Sequence, residues 1–201
     1  MGSSTVCAGW LSSRSTVYDA IIKSGRRRSL LSPAETVRAV ELDRSALERM
    51  LPHREPFLLL DRITQVDLAR GLVEARRRID PADPVLRGHF PGDPVYPGVL
   101  LLEMVGQLGI CLQHLLDRFS HTPASEPIAL SPDDAPRSLR LLKVHHALFQ
   151  GAVRPGDEVA VVAASVENSD YVSVCAGQVL LGDQVQALAI FEVYMLESGE
   201  E

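Results

Sequence analysis

No uninterrupted apolar stretch in the 201-residue chain reaches the roughly 18 residues needed to span a bilayer, so no membrane span is expected. The first fifteen residues lack a basic segment followed by an apolar one, so they do not read as a secretory signal, and a cytoplasmic location is the default expectation. Cysteine is scarce: Cys7, Cys111 and Cys175 are far apart, odd in number and form no CxxC pair. That excludes a disulfide framework or a zinc site, leaves three reduced thiols, and gives no reason to expect a metal or cofactor. Positive charge is missing from the C-terminal part, where no Lys or Arg follows Arg154 although Asp157, Glu158, Glu167, Asp170, Asp183, Glu192, Glu197, Glu200 and Glu201 all lie there. Any anionic partner is therefore expected to meet the earlier part of the chain.

What is present fits a soluble globular protein: 46% of residues are hydrophobic, 23% are charged, and the length is right for one substantial core with an appendage. Residues 1–37 are Ser-rich and contain Arg26-Arg27-Arg28 with a single apolar cluster over 17–22. This extension is expected to be largely disordered, with at most one short helix, and three arginines without an aromatic platform read as a solvated charge run rather than a nucleic-acid site. The fold is expected over 38–196, followed by an acidic tail over 197–201. Asp43 is a good N-cap for a short helix over 45–51, stopped by Pro52. Strands are expected over 57–66 and 71–79, then over 139–149, 158–166, 171–181 and 185–194, with hairpin turns at Asn168-Ser169-Asp170 and Gly182-Asp183. Between the two groups, residues 98–118 form a helix that is apolar nearly all round, and residues 120–136, with four prolines, form a loop. A long helix enclosed by an antiparallel sheet is the economical arrangement, giving an α+β fold.

The densest signal is Gly88-His89-Phe90-Pro91-Gly92-Asp93-Pro94-Val95-Tyr96-Pro97-Gly98, which runs straight into that helix. So many glycines and prolines specify a rigid irregular loop, with His89 inside it. Pro97 suits a helix start, Gly98 leaves the backbone approachable, and the first N–H groups of the helix can face a developing negative charge. Glu103 follows among leucines, where low polarity should make its neutral acid accessible, and Gln107 lies one turn later on the same face, able to hold it. Taken singly, His89 could be structural and Glu103 could be an ion-pair partner of Arg54 or Arg62. His145 and His146 are adjacent on a strand and point to opposite faces, which suits structural roles better than a shared metal.

Leu51-Pro52-His53-Arg54, then Pro56-Phe57-Leu58-Leu59-Leu60-Asp61-Arg62, the loop from Gly88 to Gly98, Glu103 with Gln107, and Val153-Arg154-Pro155-Gly156-Asp157 together resemble the (3R)-hydroxyacyl-acyl-carrier-protein dehydratases of the FabZ and FabA type. The resemblance covers roughly residues 40–196, and its specificity lies in a His, a Gly-Asp-x-x-x-Pro-Gly turn and a carboxylate fourteen residues after the His agreeing at once. It implies a hotdog fold paired into a homodimer, or an assembly of dimers, with His89 working beside Glu103 of the neighbouring chain. Glu rather than Asp at 103 points to the FabZ branch and to plain dehydration. In such a reaction neutral His89 would take the proton beside the thioester carbonyl, protonated Glu103 would protonate the departing hydroxyl, and the Gly98 N–H would stabilise the carbonyl oxygen.

Phe90, Tyr96 and Pro97 are candidate tunnel residues, and Leu101, Leu108 and Leu112 candidate determinants of its depth. The expected partner is an acyl carrier protein bearing a phosphopantetheine-linked 3-hydroxyacyl chain; Arg87, Arg137, Arg140 and Lys143 are candidate contacts for its acidic surface. The turn at 168–171 lacks the basic residues that FabA-type relatives carry nearby, and the N-terminal extension lies outside the family pattern. His53 and Arg54 match the family but could equally fix the chain's entry into the first strand, so they stand outside the expected acid–base pair. A thioesterase of the same fold would need the helix carboxylate but not the His89 loop. A non-catalytic acyl-binding subunit could lack either group.

Overall fold

The strands over the C-terminal third are apolar at almost every position, so neither face can be left to water and each needs a cover. In the computed structural model, which describes residues 5–123, 125–136, 139–169 and 171–195, two different covers are found. The elements are α1 (Thr5–Gly25), β1 (Arg38–Leu42), α2 (Arg44–Met50), β2 (Arg62–Asp67), β3 (Leu72–Arg78), a 3-10 turn (Pro84–Arg87), α3 (Gly98–Phe119), β4 (Leu139–Phe149), β5 (Glu158–Asn168), β6 (Val172–Leu181) and β7 (Gln184–Met195). The strands form one seven-stranded sheet in the order β1-β2-β3-β5-β6-β7-β4, with antiparallel neighbours throughout. This is the sheet wrapped round a long helix, and the α+β class, expected from the sequence.

α3 is the cover of the inner face. Leu101, Met104, Val105, Leu108, Cys111, Leu112 and Leu115 are buried along one side of it, each fully buried leucine contributing about 1.5–3 kcal/mol. By length and composition α3 could cross a membrane, but here that apolar side is enclosed by the sheet. The helix sits so low on β6 that a Cβ at Gly177 would lie 2.3 Å from Val105 Cγ1 and 2.6 Å from the Val162 carbonyl oxygen. Gly177 is therefore a close-approach glycine, required where helix and strand backbone meet.

The outer face is covered by the N-terminal extension, which corrects the expectation of a largely disordered segment. α1 is one helix of 21 residues, and Tyr18, Ile21, Ile22 and Leu30 pack on Val174, Ala176 and Ile190, while Leu31 joins Val162, Leu180 and Leu188. Arg14 pairs with Glu167 at 2.5 Å and with Glu192 at 3.7 Å, and Tyr18 lies against His145 with ring centroids 5.1 Å apart. The extension looks weakly ordered in isolation because its apolar residues are few. The outer face of β5 to β7 is what they complete.

α2 starts where expected: the Asp43 carboxylate accepts from the Ala46 N–H at 3.0 Å. Bonds from the Ser45 hydroxyl and the Ala46 N–H hold that carboxyl below its ordinary range. The strand expected over 57–66 begins later, at Arg62, and β1 was not anticipated. The described parts of the loop over 120–136 contain neither helix nor strand, and its Asp134 is buried against Arg118 at 2.6 Å. The acidic tail over 197–201 lies outside the described residues, as does Asp170 of one expected hairpin turn.

Candidate active site

One face of α3 stands off from the sheet and leaves a gap. Val99, Leu102, Glu103, Gly106, Ile110 and Gln113 recur at helical spacing along it and line a cavity of about 430 Å³, closed on its other side by Leu141, Val144, Cys175 and Phe191 of β4, β6 and β7. Nothing lies within 4 Å of where a Cβ at Gly106 would stand, so that glycine leaves the groove open beside Glu103. The walls are apolar apart from a few groups, Glu103 and His53 among them. Burial pushes the Cys175 thiol up to about 12 and the Cys111 thiol higher still, so neither is a thiolate nucleophile at neutral pH.

The Glu103 carboxylate is held rather than loose. Gln107 Nε2 donates to Glu103 Oε1 at 3.0 Å and to the Phe57 carbonyl at 2.8 Å, while Gln107 Oε1 accepts from the Leu59 N–H at 2.9 Å. Fully buried, Gln107 is thereby tied to the 57–59 backbone, and its rotamer fixes the carboxylate. His53 Nε2 stands 3.5 Å from the same Oε1. The side chain of Glu103 is 33% exposed in the single chain, not enclosed among its leucine neighbours, because Leu101 is buried against the sheet while Glu103, with Leu102 beside it, points to the cavity. Neither Arg54 nor Arg62 is its partner: Arg54 donates to the Leu51 and His53 carbonyls, each at 2.8 Å, and Arg62 is with Glu158 at 3.3 Å and Glu41 at 3.7 Å.

His89 is fixed by its own loop. Its Nδ1 lies 2.9 Å from the Val95 carbonyl oxygen, and the Val95 N–H donates back to the His89 carbonyl at 2.8 Å. A carbonyl can only accept, so Nδ1 carries the proton and Nε2 of the neutral ring is left with its lone pair. The loop turns at Gly92, whose φ of 85° is left-handed, and is braced from the 153–157 turn by the Tyr96 N–H donating to the Val153 carbonyl at 2.8 Å and by Arg154 on Asp93 at 2.6 Å. Among the described residues, His89 does not line the cavity that Glu103 faces. At the start of α3 the N-cap residue is Pro97, with no side-chain cap, so the first N–H groups of the helix are not satisfied by a capping side chain.

Compared with known proteins, residues 51–190 match the FabA-like domain. The chain belongs to the FabA-like family. Among relatives in the FabZ branch, the 3-hydroxyacyl-[acyl-carrier-protein] dehydratase FabZ of Campylobacter jejuni subsp. jejuni is 31% identical over 156 residues, covering 78% of this chain and 99% of its own. The FabZ of Aliarcobacter butzleri is 29% identical over the same shares. That of Protochlamydia amoebophila is 37% identical over 116 residues, 58% of this chain and 65% of its own. Two solved structures share the fold. The dehydratase heterocomplex ApeI:P from Xenorhabdus doucetiae gives a TM-score of 0.57 at 19% identity over 77% of this chain and 93% of that one. A mutant thioesterase from Pseudomonas aeruginosa gives 0.52 at 15% identity over 84% and 97%.

The FabA-like segment contains the Gly88–Gly98 loop, Glu103 and Gln107, and it leaves α1 outside. Several expected site residues lie away from the cavity of their own chain. Tyr96 and Pro97 are buried beside the core and Phe90 is 56% exposed, stacked on His89 with centroids 4.0 Å apart; none of the three lines the Glu103 cavity. Leu101, Leu108 and Leu112 face the sheet, so the wall along α3 is made by Val99, Leu102 and Ile110 one helical face away. At Gly98 a side chain would meet the Phe149 ring at 2.8 Å, which places the end of β4 against the start of α3. Arg87, Arg140 and Lys143 are exposed, and Arg137 lies outside the described residues. His53 is the site residue that sequence reasoning set aside: its signal was the match at Leu51-Pro52-His53-Arg54, and only the packing of residues 51–59 against α3 brings it to Glu103.

Proposed function

We infer that the chain is a 3-hydroxyacyl-acyl-carrier-protein dehydratase of fatty-acid synthesis, acting in the cytoplasm. The reading rests above all on Glu103, a carboxylate pinned by a fully satisfied Gln107 in a mostly apolar groove. His89 supplies the complementary group, with Nδ1 tied to a carbonyl and Nε2 free to act as base. His89 Nε2 takes the proton from the carbon beside the thioester carbonyl. The bond from the β-carbon to its hydroxyl breaks as that oxygen takes the proton of the Glu103 acid, leaving the trans-2-enoyl thioester and water. Charge gathering on the carbonyl oxygen is met by the Gly98 N–H at the uncapped helix start.

That Glu103 faces the cavity while His89 of the same chain does not line it supports a pair completed by a second copy in a homodimer. β4 is one of the two edge strands of the sheet, with Leu141, Leu142 and Val144 exposed, and is the surface through which two copies would join. A thioesterase would not need the His89 loop, and a non-catalytic subunit could lack either group; this chain keeps both. The test is turnover of an enoyl thioester in the hydration direction, followed by loss of its absorbance. Glu103→Gln and His89→Ala should each lower kcat by roughly 10²–10⁴-fold. Near-normal turnover in both variants refutes the assignment.

A further inference from the structure

Some of the cations among the described residues are neutralised in place, while others, Arg87, Arg140 and Lys143 among them, are exposed. Arg14, Arg44, Arg62, Arg70, Arg76, Arg77, Arg118 and Arg154 are each held by a carboxylate. Lys23, Arg26, Arg27 and Arg28 are exposed, and among the described residues none of them makes an ion pair. Four cations thus stand within six residues at the end of α1, where a helix C-terminus already favours positive charge.

Their position is fixed from beneath. Gln178 of β6 is completely buried, and its side chain is given wholly to this segment: Nε2 donates to the Gly25 and Arg28 carbonyls, the latter at 3.0 Å, and Oε1 accepts from the Leu30 N–H at 2.7 Å. A buried amide satisfied in this way holds the backbone of residues 25–30 on the sheet and leaves the intervening side chains pointing to water. A second tie runs from Gln150 Nε2 to the Arg26 carbonyl at 3.0 Å. Gln150 follows Phe149, whose ring abuts Gly98 at the start of α3. The basic cluster is therefore anchored to the end of the sheet that touches the oxyanion end of the proposed site. Lys23, Arg26, Arg27 and Gln150 border a shallow cleft there, with Asp19 the one acidic side chain on its rim.

We propose that Lys23, Arg26, Arg27 and Arg28 are the docking surface for the acidic acyl carrier protein. This rests on the dehydratase reading above and deepens it by naming where the carrier sits. The chain has no Lys or Arg after Arg154; Glu167 of β5 and Glu192 of β7 are taken by Arg14, and Asp183 is exposed in the turn before β7. A negatively charged partner meets no Lys or Arg on β5 to β7 and is drawn to this fixed cluster, the densest run of exposed cations without an ion pair among the described residues. The extension thus supplies basic residues that the 168–171 turn lacks.

The test uses the full chain and the charge-reversal variant R26E/R27E/R28E, with thermal midpoints compared to confirm an intact fold. Each is assayed on a 3-hydroxyoctanoyl chain carried by a freestanding acyl carrier protein and on the same chain as an N-acetylcysteamine thioester, while binding of the unloaded carrier is measured directly. The expected result is a loss on the order of tenfold or more in kcat/KM and in carrier affinity, an unchanged rate on the small thioester, and disappearance of the parent's salt dependence. Equal rates of parent and variant on the carrier-bound substrate, equal losses on both substrates, or capture of a short DNA duplex or anionic vesicle by the cluster with no carrier affinity overturns the proposal. Failure of the parent on both substrates overturns the dehydratase reading instead, and the direct binding measurement still decides the docking surface.

Discussion

Gln107 Nε2 lies 3.0 Å from Glu103 Oε1, and the same side chain closes the two open hydrogen bonds of the Phe57-to-Leu59 backbone. Replacing Gln107 by Leu keeps the volume but leaves the Phe57 carbonyl and Leu59 N–H unpaired in the interior. The expected cost is about 1–3 kcal/mol of stability for each group left unsatisfied, read as a lower midpoint in urea. Glu103 also loses its positioning partner, so kcat should fall more than KM rises. A variant with unchanged stability and unchanged kcat contradicts this role.

That one side chain also explains what the sequence hides. Residues 57–60 read as strand because they are apolar, yet they form no ladder: Gln107 takes the backbone groups that a neighbouring strand would have paired, and β2 begins only at Arg62. The buried helix over residues 98–119, the Asp43 cap and the last four strands were legible because periodicity and capping are local signals. Which leucines of α3 face the sheet and which residues line the groove was not, since a helix apolar all round does not announce its one open face. The two covers of the sheet have the same origin. Strands apolar on both sides were visible in β5 to β7, but nothing local said that α1 supplies the outer cover. The contact of Gln107 with Glu103 was readable from its helical spacing, whereas His53 reaches Glu103 only through tertiary packing.

If the site is split between two copies, inactive variants should rescue one another. In a mixture of His89→Ala and Glu103→Gln chains that have been unfolded and refolded together, each mixed dimer contains one site with both groups intact and one with neither. Random pairing makes half of the dimers mixed, so activity should return to roughly a quarter of the unmodified level. No recovery would place both groups of the working pair in one chain.

Tyr96 is 2% exposed, and its hydroxyl has no hydrogen-bond partner among the described residues. Burial, with the Asp83 carboxylate adding to it, pushes the phenol up to about 12. An unfolded tyrosine ionises near about 10, so above that pH the unfolded chain releases a proton that the folded chain keeps. The stabilising contribution is complete below about pH 10 and is lost as pH rises through about 12. Tyr96→Phe should remove this alkaline component and, by deleting a desolvated hydroxyl, be neutral or stabilising by up to about 1 kcal/mol at pH 7. Denaturation curves at pH 7 and pH 11 compare the two proteins directly. A clear loss at pH 7 would mean that the hydroxyl has a partner in the assembled protein.

Gln178 should behave as the latch of the extension. It is completely buried, and Gln178→Leu preserves the bulk under Gly25 and Leu30 while leaving the Gly25 and Arg28 carbonyls and the Leu30 N–H without their partner. Each group left dry and unpaired costs about 1–3 kcal/mol, unless the segment lifts so that water reaches it. Lifting is the cheaper outcome, because only this segment has to move and the inner core under α3 is separate from it. Trypsin cuts after Lys23, Arg26, Arg27 and Arg28, so opening can be read as cleavage. The variant should be cut between residues 23 and 29 about tenfold faster or more than the parent, while the fragment beginning near residue 29 resists further digestion. Carrier affinity should fall with it although every arginine is still present, since the cluster works only where the latch holds it. Equal cleavage rates in parent and variant would show that the extension is held by its other contacts and that Gln178 is not its latch.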